Sequence, residues 1–296
     1  MAAGSKQRPA PRGLVPPWEE LRALVQLAVA EDLPQGDPTG ALVGSVPAQA
    51  LLVSREEGVL AGLPAVQLVL DEVSARLGTG RATAKLARSD GDRAGAGARL
   101  GELSGPAGTL LGSERTLLNL VGHLSGIATA TARFVEAVAG TGTVVRDTRK
   151  TLPGLRAVEK YAVRCGGGQN HRMNLSEAIL IKDNHAAALG GVGEALSALR
   201  ANPSPLPVEV EVDDLEQLEA ALSMGAGLVL LDNFSLDDIT RAVARASACG
   251  TKLEASGGIS LANVRAVAER GVHYVAIGAI THSAPALDVA LDWTPA

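Results

Sequence analysis

From Thr143 onward the chain repeats one pattern: a short apolar run, a charged or glycine-rich stretch, then an amphipathic segment. The runs lie near Thr143–Asp147, Ala178–Lys182, Val208–Val212, Leu228–Asp232, Lys252–Ala255 and Val272–Ile277. Helical periodicity fills the intervals near Leu155–Arg164, Val192–Arg200, Asp214–Ser223, Leu236–Ala248 and Leu261–Arg270. Strands covered on both faces are apolar nearly throughout, so this alternation predicts βαβ units and a parallel sheet. Ser235 and Asp238 have capping-box spacing, and Ser260 reads as an N-cap. Such folds place their active groups at the carboxyl ends of the strands. Here nearly every strand ends in polar or glycine-rich residues: RDTRKT (146–151), IKDNH (181–185), VEVEV (208–212), LLDNF (230–234), EASGGI (254–259) and AIGAI (276–280). Polar ends converging from six strands suit a barrel-like domain better than the single crevice of a doubly wound sheet.

The first half reads differently. Residues 1–17 hold Lys6, Arg8, Arg12 and four prolines, the composition of a mobile tail. Leu21, Leu24, Val25, Ala28 and Val29 form one helix face after Pro17. Short β-like runs follow at Ala50–Ser54, Arg81–Ala87 and Arg99–Ser104, with a helix begun by Pro64 between the first two, an α+β pattern. Ser113 is read as the cap of a connector helix reaching about Val138, striped by Leu117, Leu118, Val121, Leu124 and Ile127. The expected organisation is therefore a tail (1–17), an α+β domain (18–112), a connector helix (113–140), a barrel-like α/β domain (141–283) and a C-terminal segment (284–296) that returns to the N-terminal domain.

Composition narrows the function. The chain has 27 Lys and Arg against 32 Asp and Glu, a net charge of −5, and 2% aromatics. That balance argues against nucleic acid or an anionic membrane as partner and against base-stacking platforms. Two cysteines outside any ligand cluster fit a reducing cytoplasm, and neither a secretory signal nor a run long enough to span a membrane is expected.

Basic charge is concentrated: Arg146 to Lys182 contains eight Lys or Arg and three Asp or Glu. Arg156, Lys160 and Arg164 read as a solvated helix face. Arg149, Lys150, Arg172 and Lys182, at strand ends or in the loop CGGGQNHR with His171, read as a pocket for a small polyanion, because guanidinium groups grip carboxylates bidentately. Glu211 and Asp232 end the next two strands. Two readings stand for them: salt bridges to those cations, or binding of Mg2+ or ribose hydroxyls with stabilisation of developing positive charge. Ser256-Gly257-Gly258 and Gly278 follow the last two strands, where barrels commonly hold phosphate, although a Gly-Gly pair is often only a tight turn. A phosphate-loop lysine motif and a dinucleotide fingerprint are absent.

The motifs DTRKT (147–151), PGLRAVEKYAVRCGGGQNHR (153–172), LIKDNH (180–185), VEVEV, LLDNF, EASGGI, APALD (284–288) and SERTLLNLVGHLSGIAT (113–129), in this order, resemble the quinolinate phosphoribosyltransferase family over most of residues 18–292. His123 and the paired Arg146-Asp147 are small departures, given no role here. The resemblance implies conversion of quinolinate and phosphoribosyl pyrophosphate to nicotinate mononucleotide, pyrophosphate and CO2 with Mg2+, in NAD biosynthesis. It implies that Arg149, Lys150, His171, Arg172 and Lys182 hold the substrate carboxylates. Ser256, Gly257, Gly258 and Gly278 would cradle the ribose phosphate, and Lys150, Glu211 and Asp232 would be catalytic, the two acids also meeting Mg2+. It further implies an N-terminal α/β sandwich domain packed on a neighbouring subunit's barrel, in a homodimer or higher oligomer with Arg115 supplied in trans. Three competing readings are a molybdenum-linked paralogue without the dicarboxylate requirement, a Schiff-base lyase using Lys182, and a non-catalytic phosphate sensor.

Overall fold

The computed structural model describes residues 14–294, so most of the expected tail lies outside the described residues. Its strands are β1 (Pro47–Ser54), β2 (Gly58–Val59), β3 (Thr83–Leu86), β4 (Arg93–Ala94), β5 (Arg99–Pro106), β6 (Val144–Arg146), β7 (Ile179–Ile181), β8 (Val208–Val212), β9 (Leu228–Asp232), β10 (Lys252–Ser256), β11 (Tyr274–Ala276) and β12 (Val289–Thr294). The α-helices are α1 (Trp18–Asp32), α2 (Pro64–Leu77), α3 (Ala107–Ala137), α4 (Arg156–Cys165), α5 (Asp183–Leu189), α6 (Val192–Ala201), α7 (Leu215–Ser223), α8 (Leu236–Cys249), α9 (Val264–Ala268) and α10 (Ala279–His282). They form two compact units. One joins the chain up to Ala132, Leu152–Gly167 and the segment from Ser283; the other joins Arg133–Thr151 and Gly168–His282. Chain order alone does not define them, because residues 152–167, expected inside the domain 141–283, group with the first unit.

In the first unit an antiparallel sheet has the order β12-β1-β5-β3. The C-terminal segment enters it as an edge strand, with Leu291 opposite Leu52 and Trp293 opposite Ala50. Helix α1 buries Leu21, Val25 and Val29, as its spacing predicts. Helix α2 starts with Pro64 and ends at Gly78, whose φ of 64° is the left-handed conformation that glycine adopts at low cost. The stripe Leu117, Leu118, Val121, Leu124 and Ile127 of α3 is buried. Gly122 and Gly126, one turn apart on α3, admit the returning chain: a Cβ on Gly126 would lie 2.1 Å from the Pro285 carbonyl oxygen, and Leu287 N donates to Gly122 O at 2.9 Å.

The second unit is built on an all-parallel sheet of order β6-β11-β10-β9-β8-β7. The last strand in sequence pairs with the first, and the others follow consecutively. That circular order belongs to a barrel, because a doubly wound sheet reverses direction in its middle. The remaining gap lies between β6 and β7, and there Gln169 forms a parallel bridge with Arg146. Val210, Val212, Val229, Leu231, Leu253, Ala255 and Val275 are all buried and share one face through the period-two alternation. Asp214 and Ser235 cap α7 and α8 through their side chains.

Several local expectations change. Ser113 is not a cap: α3 begins at Ala107, directly after Pro106 ends β5, and the buried Ser113 hydroxyl donates to Thr109 O one turn back. Ser260 does not cap α9 either. The N-cap is Asn263, whose side chain accepts from Ser260 N and donates to Gly258 O, tying the helix start to the preceding loop. The cations of α4 are not a solvated face: Arg164 is exposed and Arg156 half-buried, but Lys160 is fully buried, on a helix that buries residues around most of its circumference.

Candidate active site

The face of the parallel sheet opposite its valines and leucines is charged. In β8, Glu209 and Glu211 alternate with Val208, Val210 and Val212. The registers Glu211–Leu230, Leu230–Glu254 and Glu254–Tyr274 carry the acidic face across β9, β10 and β11. Arg146, at the end of β6, reaches onto this face. Its Nη1 meets Glu254 Oε2 at 2.5 Å and its guanidinium lies 4.7 Å from the Tyr274 ring centroid. Burial and the neighbouring Glu209 push the Glu254 carboxyl up to about 7, against the opposing pull of Arg146.

The glycine-rich loop enters beside β6. Asp147 is buried and accepts the backbone N–H of His171 through Oδ1 and the Asn170 side chain through Oδ2. His171 Nε2 lies 2.8 Å from Glu209 Oε2 and 3.7 Å from Glu254 Oε1. Arg172 follows, its Nη1 donating to Ala178 O at 2.8 Å. Desolvation lowers the pKa of Arg172, and the nearby positive charge of Arg149 adds to that shift. Two guanidinium groups close enough to repel, in partly buried surroundings, form a place where an anion is favoured.

At the carboxyl ends of the strands, Lys182 Nζ meets Glu211 Oε2 at 2.6 Å. The salt-bridge reading of Glu211 therefore describes this state of the chain, while Asp232 accepts from the Asn233 side chain. Asn233 holds a left-handed φ of 56° and donates its backbone N–H to Ser256 O at 2.9 Å, stitching the end of β9 to the end of β10. Gly257 and Gly258 have φ of 83° and 60°, and a Cβ on Gly257 would lie 2.2 Å from Asn233 Oδ1. Glycine is required there, and it leaves backbone open at the turn. Gly278 lies against the Lys150 stem, where a Cβ would come within 2.8 Å of Lys150 Cδ, and Thr281 Oγ1 donates to Lys150 O.

The second unit thus contains Arg149, Lys150, His171, Arg172, Lys182, Glu211, Asp232, Ser256, Gly257, Gly258 and Gly278. Arg115 lies in the first unit, exposed on α3. Sequence reasoning missed Glu209, Glu254 and Asp147 and gave Arg146 no role. A usable signal was present: VEVEV puts Glu209 on the same face as Glu211, and Glu254 precedes Ser256 by two residues. His123, read as a departure without a role, has its Nε2 2.9 Å from the buried Glu159 in the first unit.

A parallel, barrel-ordered α/β sheet with cations, acids and glycine turns at its carboxyl ends is the arrangement of a barrel enzyme. Models of the quinolinate phosphoribosyl transferase N-terminal and C-terminal domains match residues 37–125 and 127–292. The carboxylating nicotinate-nucleotide pyrophosphorylase of Mycobacterium leprae is 48% identical over 282 residues, covering 93% of this chain and 98% of that protein. The human protein of the same name is 38% identical over 283 residues, covering 94% and 93%. A solved structure of the nicotinate-nucleotide pyrophosphorylase of Francisella tularensis superposes with a TM-score of 0.87 at 39% identity, covering 94% of this chain and 97% of that one. The chain belongs to the quinolinate phosphoribosyl transferase family. Among the described residues no helix is long and apolar enough to cross a membrane.

Proposed function

We propose that the protein transfers the phosphoribosyl group of phosphoribosyl pyrophosphate to quinolinate and releases pyrophosphate and CO2, leaving nicotinate mononucleotide for NAD biosynthesis. The observation that carries this reading is the meeting, on one sheet face, of a partly buried cationic loop with acid-ended strands. Arg149, Arg172, Lys150 and Lys182 hold the two substrate carboxylates, and His171 belongs to the same wall. Ser256, Gly257, Gly258 and Gly278 receive the 5-phosphate on open backbone.

The pyridine nitrogen bonds to the anomeric carbon as the bond to pyrophosphate breaks, and Glu211 and Asp232 stabilise the positive charge that develops on the ribosyl centre. The ring nitrogen is then cationic. When the bond between C2 and its carboxylate breaks, the electron pair left on C2 is stabilised by that nitrogen and takes up a proton, so the ring itself serves as the electron sink. For Glu211 to act on the ribose, Lys182 must shift its ammonium from Glu211 to an incoming carboxylate. Glu211 and Asp232 offer hard carboxylate oxygens at the ends of neighbouring strands, a donor set that fits Mg2+. A bound Mg2+ would offset the charge of the departing pyrophosphate.

The competing lyase reading has no support among the relatives, which are carboxylating nicotinate-nucleotide pyrophosphorylases. We further propose a cytoplasmic homodimer, or a multiple of it, in which Arg115 completes the partner's site. The test of the reaction is pyrophosphate and CO2 release in equal amounts, each requiring both quinolinate and phosphoribosyl pyrophosphate. The test of the shared site is a mixed dimer of Arg115→Ala and Lys150→Ala chains. With Arg115 acting in trans, one site carries both defects and the other none, so about half of wild-type turnover per dimer returns. Background activity in confirmed mixed dimers contradicts the shared site.

A further inference from the structure

Both ring nitrogens of His171 are engaged within the second unit. Nδ1 accepts the backbone N–H of Arg172 at 2.8 Å, and Nε2 lies 2.8 Å from Glu209 Oε2. A backbone amide only donates, so Nδ1 presents its lone pair and the ring hydrogen sits on Nε2, where it is donated to Glu209. The backbone on the other side of the ring is fixed as well, since the buried Asp147 accepts from His171 N at 2.8 Å. Two buried acids thus grip one residue, through its ring and through its amide, and the next residue is Arg172.

The grip has a physical reason. Arg172 stands in partly buried surroundings close enough to Arg149 to be disfavoured by it, so repulsion pushes the arginine outward unless its backbone is anchored. Among the described residues Glu209 Oε1 and Glu254 Oε1 are buried without a hydrogen-bond partner, and a buried acceptor left unpaired costs free energy. The nearest atoms of His171, Glu209 and Glu254 lie within 4.8 Å of one another, a spacing that a metal ion would also accept. The 2.8 Å contact between Nε2 and Glu209, with Nδ1 already accepting, favours a hydrogen bond over a metal ligand.

We propose that Glu209 and Asp147 are positioning residues that act through His171 to fix Arg172, so that His171 serves as a strut for the arginine rather than as a direct ligand of the substrate. This rests on the reading of Arg172 as a holder of a quinolinate carboxylate, and it assigns His171 a different part in that wall.

Two measurements on the full-length enzyme test it. The first is a long-range proton–nitrogen correlation spectrum of protein labelled with nitrogen-15 at histidine, the His171 signal being identified by its loss in His171→Gln. The strut requires a hydrogen on Nε2 and an unprotonated Nδ1, both without and with quinolinate. A hydrogen on Nδ1, or an Nε2 bound to a metal ion, overturns it. The second is calorimetric binding of quinolinate. Glu209→Ala should weaken binding by about 10- to 100-fold, the loss that follows when an outer partner orienting a ligating group is removed, while Glu209→Gln, whose side-chain carbonyl accepts the same N–H, should bind as wild type does. Phosphoribosyl pyrophosphate affinity should stay unchanged in both. Glu209→Gln as weak as Glu209→Ala, or Glu209→Ala binding normally, overturns the strut. Wild-type protein that failed to bind quinolinate would refute the substrate reading, and the nitrogen spectrum would then decide the strut by itself.

Discussion

The two faces of the parallel sheet obey opposite rules. One carries Val210, Val212, Val229, Leu231, Leu253, Ala255 and Val275, all buried and all apolar. The other carries Arg146, Glu209, Glu211, Asp232 and Glu254, reached by His171 from the glycine loop. A single strand such as β8 serves both, because alternation sends its valines one way and its glutamates the other. The difference teaches where folding free energy is stored and where it is spent. Apolar burial contributes about 25 cal/mol per Å2, whereas a buried carboxylate without a full set of partners costs free energy and is retained for what it positions.

The largest expected effect on the charged face is on chemistry. Asp232→Asn or Glu211→Gln should reduce kcat by roughly 2.7–4 kcal/mol of transition-state stabilisation, about 100- to 1000-fold, with quinolinate binding much less affected. Stopped-flow turnover beside calorimetric binding separates the two, and abolished binding with intact chemistry would reverse the roles assigned. The apolar face should respond the other way. Leu231→Ala should lower unfolding free energy by about 2–5 kcal/mol, read from urea denaturation, with turnover per folded molecule unchanged.

A smaller effect concerns pH. Glu254 keeps its proton up to about pH 7 in the folded chain but loses it near the ordinary 4.5 once unfolded. Between those values the folded state binds more protons, so stability falls as pH rises from 4.5 to 7, by up to about 3 kcal/mol, and no further above that. Glu254→Gln should remove that slope, which denaturation midpoints from pH 4.5 to 7.5 will show; an unchanged slope would place the proton elsewhere. The smallest effect is at a helix cap: Ser235→Ala, which loses the bond from Asp238 N, should cost about 1 kcal/mol of stability and leave catalysis intact.

These contrasts also explain what the sequence made legible. The runs Val208–Val212 and Leu228–Asp232 match β8 and β9 residue for residue, because strands covered on one side by apolar packing are punctuated by turns. A barrel-like domain is expected from the polar strand ends, and the strand order of the parallel sheet agrees with it. Local signals failed where distant contacts decide. Ser113 looks like a cap until α3 continues past it to Ala107, and Lys160 looks solvated until tertiary packing buries it. The return of the C-terminal segment to the first unit is expected from the sequence, but its pairing as edge strand β12 with β1, more than two hundred residues earlier, is not. Glu209 and Glu254 were hidden by their setting, since an acid within an apolar run is readily taken as a strand residue and its inward direction passed over.

The central claim is that the charged face serves a dicarboxylate. The direct measurement compares kcat/KM for quinolinate and for nicotinic acid, each with saturating phosphoribosyl pyrophosphate. With one carboxylate missing, a partly buried cation of the wall loses a charge-assisted hydrogen bond worth about 1.5–3 kcal/mol, so nicotinic acid should be used about 10- to 100-fold less efficiently. Comparable efficiency with the two acids would contradict the account.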